Sequence, residues 1–552
     1  MGTYLNPGKY AFEEALNSEI FIDKTEMISY LNSVVNTSQR YVSVFRPRRF
    51  GKTMAADMIS AYYDKEADCR ALFKKCMISR TKKGKDTLTW DEYLGKFNVV
   101  RLVMTDFFNK ERTVDEAIDT IKCRILDELA ERYPDTKYDE KDFPYSIDRF
   151  YRKSKTQFVI VIDEWDAVFR EDKEDKEGQK KYLDFLRDWL KDKAYIALAY
   201  MTGILPIRKD GKHSALNMFD EYSMTSPMQL ASYAGFTEAE VEGLCKRYGR
   251  DYKQVSDWYE GYRVSDIIPP DPEHESLITT GRSPEAKKYC LYCPLSVVKA
   301  MRTGFMNNYW NETETYEALQ QYIDWNFDGL KEDVAILMEG GRIPVDITGY
   351  QNDMITFNSK DDILTMLIHL GYLGYDVDTK ELFIPNKEVL DVFKSSTKSR
   401  DWTVTFRALQ NSQKLLEATW NCDQKTVAEL LEAAHDKTGN RVYHSEAGLS
   451  FAVQLAYYAA QDYYTIIPEL DTGKGYADLA FIPLKPDIPA MLIELKYEKD
   501  ADTAIAQIHR QKVPDMLELY KGNLILVGIN YDRSVKNGSV EFKHHSCEIE
   551  KA

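Results

Sequence analysis

Five strand-forming residues, Tyr41-Val42-Ser43-Val44-Phe45, run through Arg46-Pro47-Arg48-Arg49 into Phe50-Gly51-Lys52-Thr53. An apolar strand that ends in a basic turn and then Gly-Lys-Thr leaves a chain few choices. It predicts a strand, a loop of bare backbone N–H groups and a helix start. Such a loop wraps phosphate: the amides point at the anion, the lysine reaches the outer phosphates and the hydroxyl of Thr53 faces Mg²⁺. The first glycine of the general pattern G-x-x-x-x-G-K-[ST] is missing, because Arg46 stands in its place. Gly51, Lys52 and Thr53 are therefore expected to bind ATP, with Arg48 and Arg49 lining the phosphate path.

A second element fits the first. Phe158-Val159-Ile160-Val161-Ile162 runs directly into Asp163-Glu164, a buried strand ending in two acids. In a nucleotide hydrolase that pair divides its work: Asp163 holds the magnesium through water, and Glu164 polarises the attacking water. Tyr195–Met201 reads as another buried strand, and Thr202 at its end is a candidate sensor of the γ-phosphate or an ordinary strand-end hydroxyl. With Val99–Met104 these strands alternate with amphipathic helical stretches, the rhythm of a parallel α/β sheet covered on both faces. The charged run Arg170–Lys181 reads as a solvated loop and helix start.

At 552 residues the chain is too long for one hydrophobic core, and three regions are expected. Residues 1–230 form the P-loop parallel-sheet domain. Residues 231–438 are a mostly helical middle region, with helices at Glu238–Tyr248, Pro294–Met301 and Tyr316–Trp325. Near its end, Ile363–Leu370 followed by Tyr372–Tyr375 and Leu382–Pro385 suggests a helix and small hairpin, a winged-helix-like element or a packing subdomain. The turn-rich Asp436-Lys437-Thr438-Gly439-Asn440 marks the last boundary. Residues 439–552 then read α-β-β-β-α-β: a helix at Ser445–Ala460, strands at Tyr464–Pro468, Ala477–Leu484 and Ala490–Tyr497, a helix over Thr503–Tyr520 and a strand at Leu524–Ile529.

Composition excludes several classes. The longest apolar runs are strand-length, short of the roughly 18 residues that cross a bilayer, and no secretory signal is visible, so the cytoplasm is the expected location. Eight scattered cysteines give no disulfide framework. A formal net charge of −16 argues against coating nucleic acid by bulk attraction, though a local basic groove is compatible with it. His544-His545 reads as a solvated strand end rather than a metal site.

The last region carries a second constellation. Glu494-Leu495-Lys496 closes the strand that begins near Met491, and Asp478 lies in the strand before it. Residues two apart in a strand share a face, so Glu494 and Lys496 point together while Ile493 and Leu495 face the core. Phosphodiester cleavage needs a cation to offset charge on the phosphate and a polarised water as nucleophile. Asp478 and Glu494, with a backbone carbonyl near Leu495, are the expected Mg²⁺ ligands. Lys496 is expected to orient or deprotonate the water, Glu446 to add a carboxylate and Gln507 to serve as an auxiliary polar residue.

Phe21-Ile-Asp23-Lys24-Thr25, Arg46-Pro-Arg-Arg-Phe-Gly-Lys-Thr53, Val161-Ile-Asp-Glu164, Thr202-Gly-Ile-Leu205, Trp258-Tyr-Glu-Gly-Tyr-Arg263 and Tyr292-Cys-Pro-Leu-Ser296 resemble the AAA-ATPase-like family of bacterial proteins. That family often ends in a PD-(D/E)XK nuclease-like domain, and Asp478…Glu494-Leu-Lys496 in the α-β-β-β-α-β order resembles that superfamily. The resemblance implies a loop that dispenses with the first glycine. It also implies an ATPase that regulates a Mg²⁺-dependent nuclease acting on DNA or RNA, in a role such as defence against foreign nucleic acid. The chain departs from relatives after Gln507, where Arg510-Gln511-Lys512 replaces a lysine-tyrosine pair. The competing expectation is a nucleotide-gated scaffold with an inactive nuclease-like domain. No membrane partner is expected, and a homo-oligomer is compatible with the sequence.

Overall fold

In the computed structural model, residues 2–80, 89–109, 111–171, 175–207, 216–266, 287–310, 329–338, 340–348, 350, 357, 359–396, 411–435, 453, 456–457, 459–460, 463–471, 476–485, 488–497, 499–511, 517, 520–537 and 540–552 are described. They fold as two compact units, Met1–Ser396 and Thr397–Ala552.

The first unit is built on a five-stranded sheet: β1 (Tyr41–Phe45), β2 (Asn98–Val103), β3 (Phe158–Asp163), β4 (Ile196–Gly203) and β5 (Asp220–Tyr222), in the order β2-β3-β4-β1-β5. Every pairing is parallel. The four strands expected from the sequence are present within one or two residues of their expected ends. The fifth, Asp220-Glu221-Tyr222, is three residues long and too polar to declare itself. All of β1, β3 and β4 is buried, as a sheet covered on both faces requires. On one face Val42, Val44, Val99, Val159 and Val161 pack with Ile59, Tyr62 and Tyr63 of the helix Lys52–Tyr63. The long helix Val114–Arg132 begins in a capping box, where Thr113 accepts from the Glu116 amide at 3.3 Å and Glu116 accepts from the Thr113 amide at 2.9 Å.

This unit continues through the middle region. Strands β6 (Phe236–Thr237), β7 (Glu260–Asp266) and β8 (Lys287–Tyr292) form an antiparallel sheet in the order β6-β8-β7. Helices Glu238–Tyr248, Tyr252–Tyr259 and Pro294–Thr303 pack around Val241, Leu244, Val255, Val297 and Met301. The expected helix Tyr316–Trp325 lies outside the described residues. Further on, the helix Lys360–Leu370 leads into a hairpin of β10 (Gly374–Asp376) and β11 (Glu381–Phe383), which also pairs with β9 (Ile343–Pro344). The helix-then-hairpin expectation holds.

The middle region grips the phosphate loop from behind. The turn from helix to hairpin at Gly371 has φ 90°, and a Cβ there would lie 2.7 Å from the Cβ of Pro47. Only glycine suits both demands. Tyr262 donates its hydroxyl to the Gly371 carbonyl at 2.6 Å and meets the Phe50 ring edge-on, centroids 5.2 Å apart. The Gly235 amide donates to the Phe50 carbonyl at 3.1 Å.

Glu388, on the helix Lys387–Ser396, is buried, and one carboxylate oxygen accepts from the Tyr309 amide at 2.7 Å and the Trp310 amide at 3.3 Å. Burial pushes its carboxyl from the ordinary 4.5 up to about 7, against the lowering pull of the nearby Ser296 side chain and of the Tyr309 and Trp310 amides. The folded state therefore holds a proton that the unfolded chain releases between those values. Stability is fully supported below pH 4.5 and falls as pH rises through 7, by roughly 3 kcal/mol from this residue. Glu388→Gln should flatten that part of the melting-temperature profile, and an unchanged difference between pH 5 and pH 8 would contradict the assignment.

The second unit holds β12 (Tyr464–Asp471), β13 (Tyr476–Pro483), β14 (Ala490–Tyr497), β15 (Leu524–Asn537) and β16 (Val540–Lys551) in sequential order. Strands β14 and β15 are parallel, joined by the helix Ala501–Gln511, and the other pairs are antiparallel. One face packs Leu479, Phe481, Ile493 and Leu495, and the other Ala480, Leu492, Ile505 and Ile508. From β12 onward the expected order is present with β16 added, and most of the leading helix expected at Ser445–Ala460 lies outside the described residues. Leu415, Leu416, Val427 and Leu431 also enter this core, so the unit includes helical residues ahead of Asp436. His545 is buried rather than solvated, its Nδ1 2.8 Å from Glu432.

Candidate functional sites

The phosphate loop leaves β1 and closes at Gly51, whose φ of 85° caps the helix that starts with Lys52. Arg46, in the place of the missing glycine, is fully buried. Its Nη1 donates to the carbonyls of Phe45 at 2.8 Å and Tyr222 at 2.7 Å, and its Nη2 to that of Leu230 at 3.4 Å. A side chain tying the loop to β5 thus stands where flexibility is usual. The Lys52 ammonium donates to the carbonyls of Arg46 at 3.0 Å and Pro47 at 2.8 Å. Burial pushes it down to about 8, against the attraction of Asp166, Asp163 and Glu164.

Strand β3 delivers the acids. Asp163 is fully buried, its Oδ1 accepts from the Glu164 amide at 3.1 Å, and the Thr53 hydroxyl lies near enough to influence it. Burial raises its carboxyl above the usual range while Thr53, Arg101 and Lys52 pull it down. Its Oδ2 makes no hydrogen bond and lies 3.7 Å from Arg101, which is paired at 2.7 Å with Asp57. A buried carboxylate oxygen without a hydrogen bond, beside a threonine hydroxyl, fits a hard cation with oxygen ligands. Glu164 turns out of the strand with φ 53°, a left-handed conformation that non-glycine residues adopt at a cost. Thr202, at the end of the neighbouring β4, is fully buried and its hydroxyl has no hydrogen-bond partner.

Lys52, Thr53, Gly51, Arg48, Arg49 and Glu164 all line one cavity of about 700 Å³, whose other walls include Phe12, Phe21, Phe236 and Leu295. Phosphate-seeking groups together with aromatic and aliphatic walls suit a nucleotide.

Two neighbours were not legible beforehand. Asp166, fully buried, accepts from the amides of Ile204 at 3.2 Å and Leu205 at 3.1 Å, tying the acid turn to the end of β4. Arg170 lies 3.0 Å from Glu164 and 3.3 Å from Asp166, so the first residue of the charged run is not a solvated loop residue. The spacing of Asp166 and Arg170, one helical turn apart, was the available signal.

In the second unit Asp478 and Glu494 both lie one residue beyond the Leu479–Ile493 pair, at the same end of the antiparallel strands β13 and β14, one on each strand. Asp478 accepts from the Leu495 amide at 2.6 Å. Glu494 is 1% exposed and takes hydrogen bonds from Lys496 at 2.8 Å and from the Gln507 side chain. Lys496 also donates to the Leu495 carbonyl at 3.0 Å. Burial pushes the Glu494 carboxyl up to about 7, resisted by the Lys496 hydrogen bond and reinforced by Asp478. The other Glu494 oxygen is buried without a hydrogen bond, which suits a metal ligand. Asp478, Glu494, Lys496 and Gln507 are thus together, and Glu446 lies outside the described residues. Among the described residues no group of three or more His, Cys, Asp or Glu side chains is arranged to hold a metal.

A parallel sheet with a Gly-Lys-Thr loop at one strand end and an Asp-Glu pair two strands away defines a P-loop ATPase-like unit, and the mixed sheet carries a nuclease-like constellation. Residues 9–212 match the "Predicted AAA-ATPase" family model, and residues 450–539 match that of the PD-(D/E)XK nuclease superfamily. The chain therefore carries an AAA-ATPase-like region at residues 9–212 and a PD-(D/E)XK nuclease-like region at residues 450–539. No curated protein matches it. Among solved structures it is similar to the Aeropyrum pernix ORC2 protein in ADPNP-ADP complexes, at 13% identity and TM-score 0.28, over 71% of this chain and 99% of that one. It is also similar to Cdc6p from Pyrobaculum aerophilum, at 11% identity and TM-score 0.23, over 70% and 93%. A third is a signal transduction ATPase with a tetratricopeptide repeat sensor from Pyrococcus horikoshii, at 12% and 0.25, over 81% and 55%. No helix among the described residues is long and apolar enough to cross a membrane.

Proposed function

We propose that the first unit binds and hydrolyses ATP and that the second cleaves phosphodiester bonds in DNA or RNA under control of the nucleotide state. The observation that carries the first part is the shared cavity of Lys52, Thr53 and Glu164, with the buried Asp163 close to Thr53 beside it. Gly51, Lys52, Thr53, Arg48 and Arg49 hold the phosphates, Glu164 takes the proton of the attacking water, and Thr202 senses the terminal phosphate. Thr53 and Asp163 are the residues that would hold Mg²⁺, which when bound neutralises charge on the phosphates.

At the second site Asp478 and Glu494 are the ligands for a divalent cation, which supplies charge neutralisation at the scissile phosphate. Lys496 orients the water, and Gln507 fixes the Glu494 carboxylate. Coupling between the sites is inferred from their presence in one chain. A role in defence against foreign nucleic acid, as in bacterial ATPase–nuclease combinations, extends the same reading, as does a cytoplasmic location.

The test is direct. Supercoiled DNA, linear DNA and RNA are incubated with the full chain and Mg²⁺, with and without ATP, while phosphate release is followed in parallel. Nucleotide-dependent cleavage supports both sites and their coupling. ATP turnover without cleavage of any substrate would instead favour a nucleotide-gated scaffold.

A further inference from the structure

The run of charges after the two acids places Arg170 where a solubilising residue would not go. The short helix Ala167–Glu171 turns it back toward β3, with 11% of its side chain exposed. Its Nη2 lies 3.0 Å from Glu164 Oε2 and its Nε 3.3 Å from Asp166 Oδ2. Arg170 also lines the nucleotide cavity, close enough to Lys52 for its charge to oppose that of the ammonium. Arg170 and Lys52 thus both face the space for the phosphates. One of them is bound to the carboxylate expected to polarise water.

We propose that Arg170 reads the terminal phosphate of a nucleoside triphosphate: without nucleotide it holds Glu164 in an ion pair, and the γ-phosphate takes its place. The inference rests on the ATP reading of this cavity. A guanidinium presents five N–H donors in a rigid fork that matches phosphate as well as carboxylate. Asp166 is buried and fixed by the Ile204 and Leu205 amides, so it anchors one edge of the fork while the other changes partner. The exchange needs a dianionic group at the far end of the nucleotide. ADP, one phosphate shorter, leaves Glu164 paired. Arg170 therefore selects the triphosphate and releases Glu164 in the same movement.

The experiment uses the full chain with Mg²⁺, ADP and a non-hydrolysable β,γ-imido triphosphate, so that turnover does not distort affinity. Arg170→Ala should weaken the triphosphate on the order of 10-fold and leave ADP nearly unchanged, the loss of one charge-assisted pair. Glu164→Gln removes the competitor for Arg170, so it should tighten the triphosphate several-fold, and that gain should vanish in the double variant. An unchanged preference for triphosphate over diphosphate in Arg170→Ala would overturn the inference while leaving the ATP site intact, provided that Lys52→Ala still weakens binding strongly. If wild-type binding does not depend on Lys52, the nucleotide reading fails and this inference with it. Should Arg170→Ala fail to fold, Glu164→Gln decides, since unaltered triphosphate affinity there contradicts the ion-pair competition.

Discussion

Replacing Lys52 by alanine is expected to weaken ATP binding on the order of 100-fold, the cost of losing a desolvated charge opposite the outer phosphates. The ammonium of the half-buried Lys52 is already partly withdrawn from water, held by the carbonyls of Arg46 and Pro47, and burial has lowered its proton affinity. Phosphate offers it a full countercharge where the loop offers two dipoles. The same burial separates loss of binding from loss of folding. Removing an ammonium that the fold disfavours should leave the melting temperature unchanged or raise it. Equilibrium titration with a fluorescent ATP analogue measures the effect, and wild-type affinity in Lys52→Ala would remove the central premise of the first site.

The second large effect belongs to Asp478→Ala, which should reduce phosphodiester cleavage on the order of 1,000-fold, since cation-based charge stabilisation contributes several kcal/mol to such transition states. Asp478 has two jobs that substitutions can separate: it accepts from the Leu495 amide at 2.6 Å and supplies charge opposite Glu494. Asp478→Asn keeps an oxygen for the amide and loses the charge. Both variants should lose cleavage, followed as nicking of supercoiled DNA and shortening of labelled RNA, while ATP binding stays as in wild type. Full cleavage in either would refute the assignment of the site.

What the sequence disclosed, and what it hid, follows from how far each residue's partners lie along the chain. Tyr41–Thr53 was readable because strand, turn and helix start succeed one another within a dozen or so residues, and Asp163-Glu164 because a strand end fixes where its next side chains point. Asp478, Glu494, Lys496 and Gln507 were readable through strand alternation and the placing of one helix. Arg46 was not. Its role depends on the carbonyls of Tyr222 and Leu230, which are 176 and 184 residues away, and in sequence it shows only as a missing glycine. Arg170 was lost in a charged run whose composition suits solvent. Strand β16 escaped because Lys543-His544-His545-Ser546 interrupts its alternation, and its place is set by pairing with β15.

Gly371 bears on how such a chain could be inherited or cut. The surface under Pro47 and Phe50 is supplied by residues 235–371, so the first 230 residues would begin life with the underside of their phosphate loop bare. A gene fragment ending there would encode the nucleotide-binding motifs without the floor on which they rest. Recombination that joins this ATPase-like unit to a different domain therefore has its natural seam after Ser396.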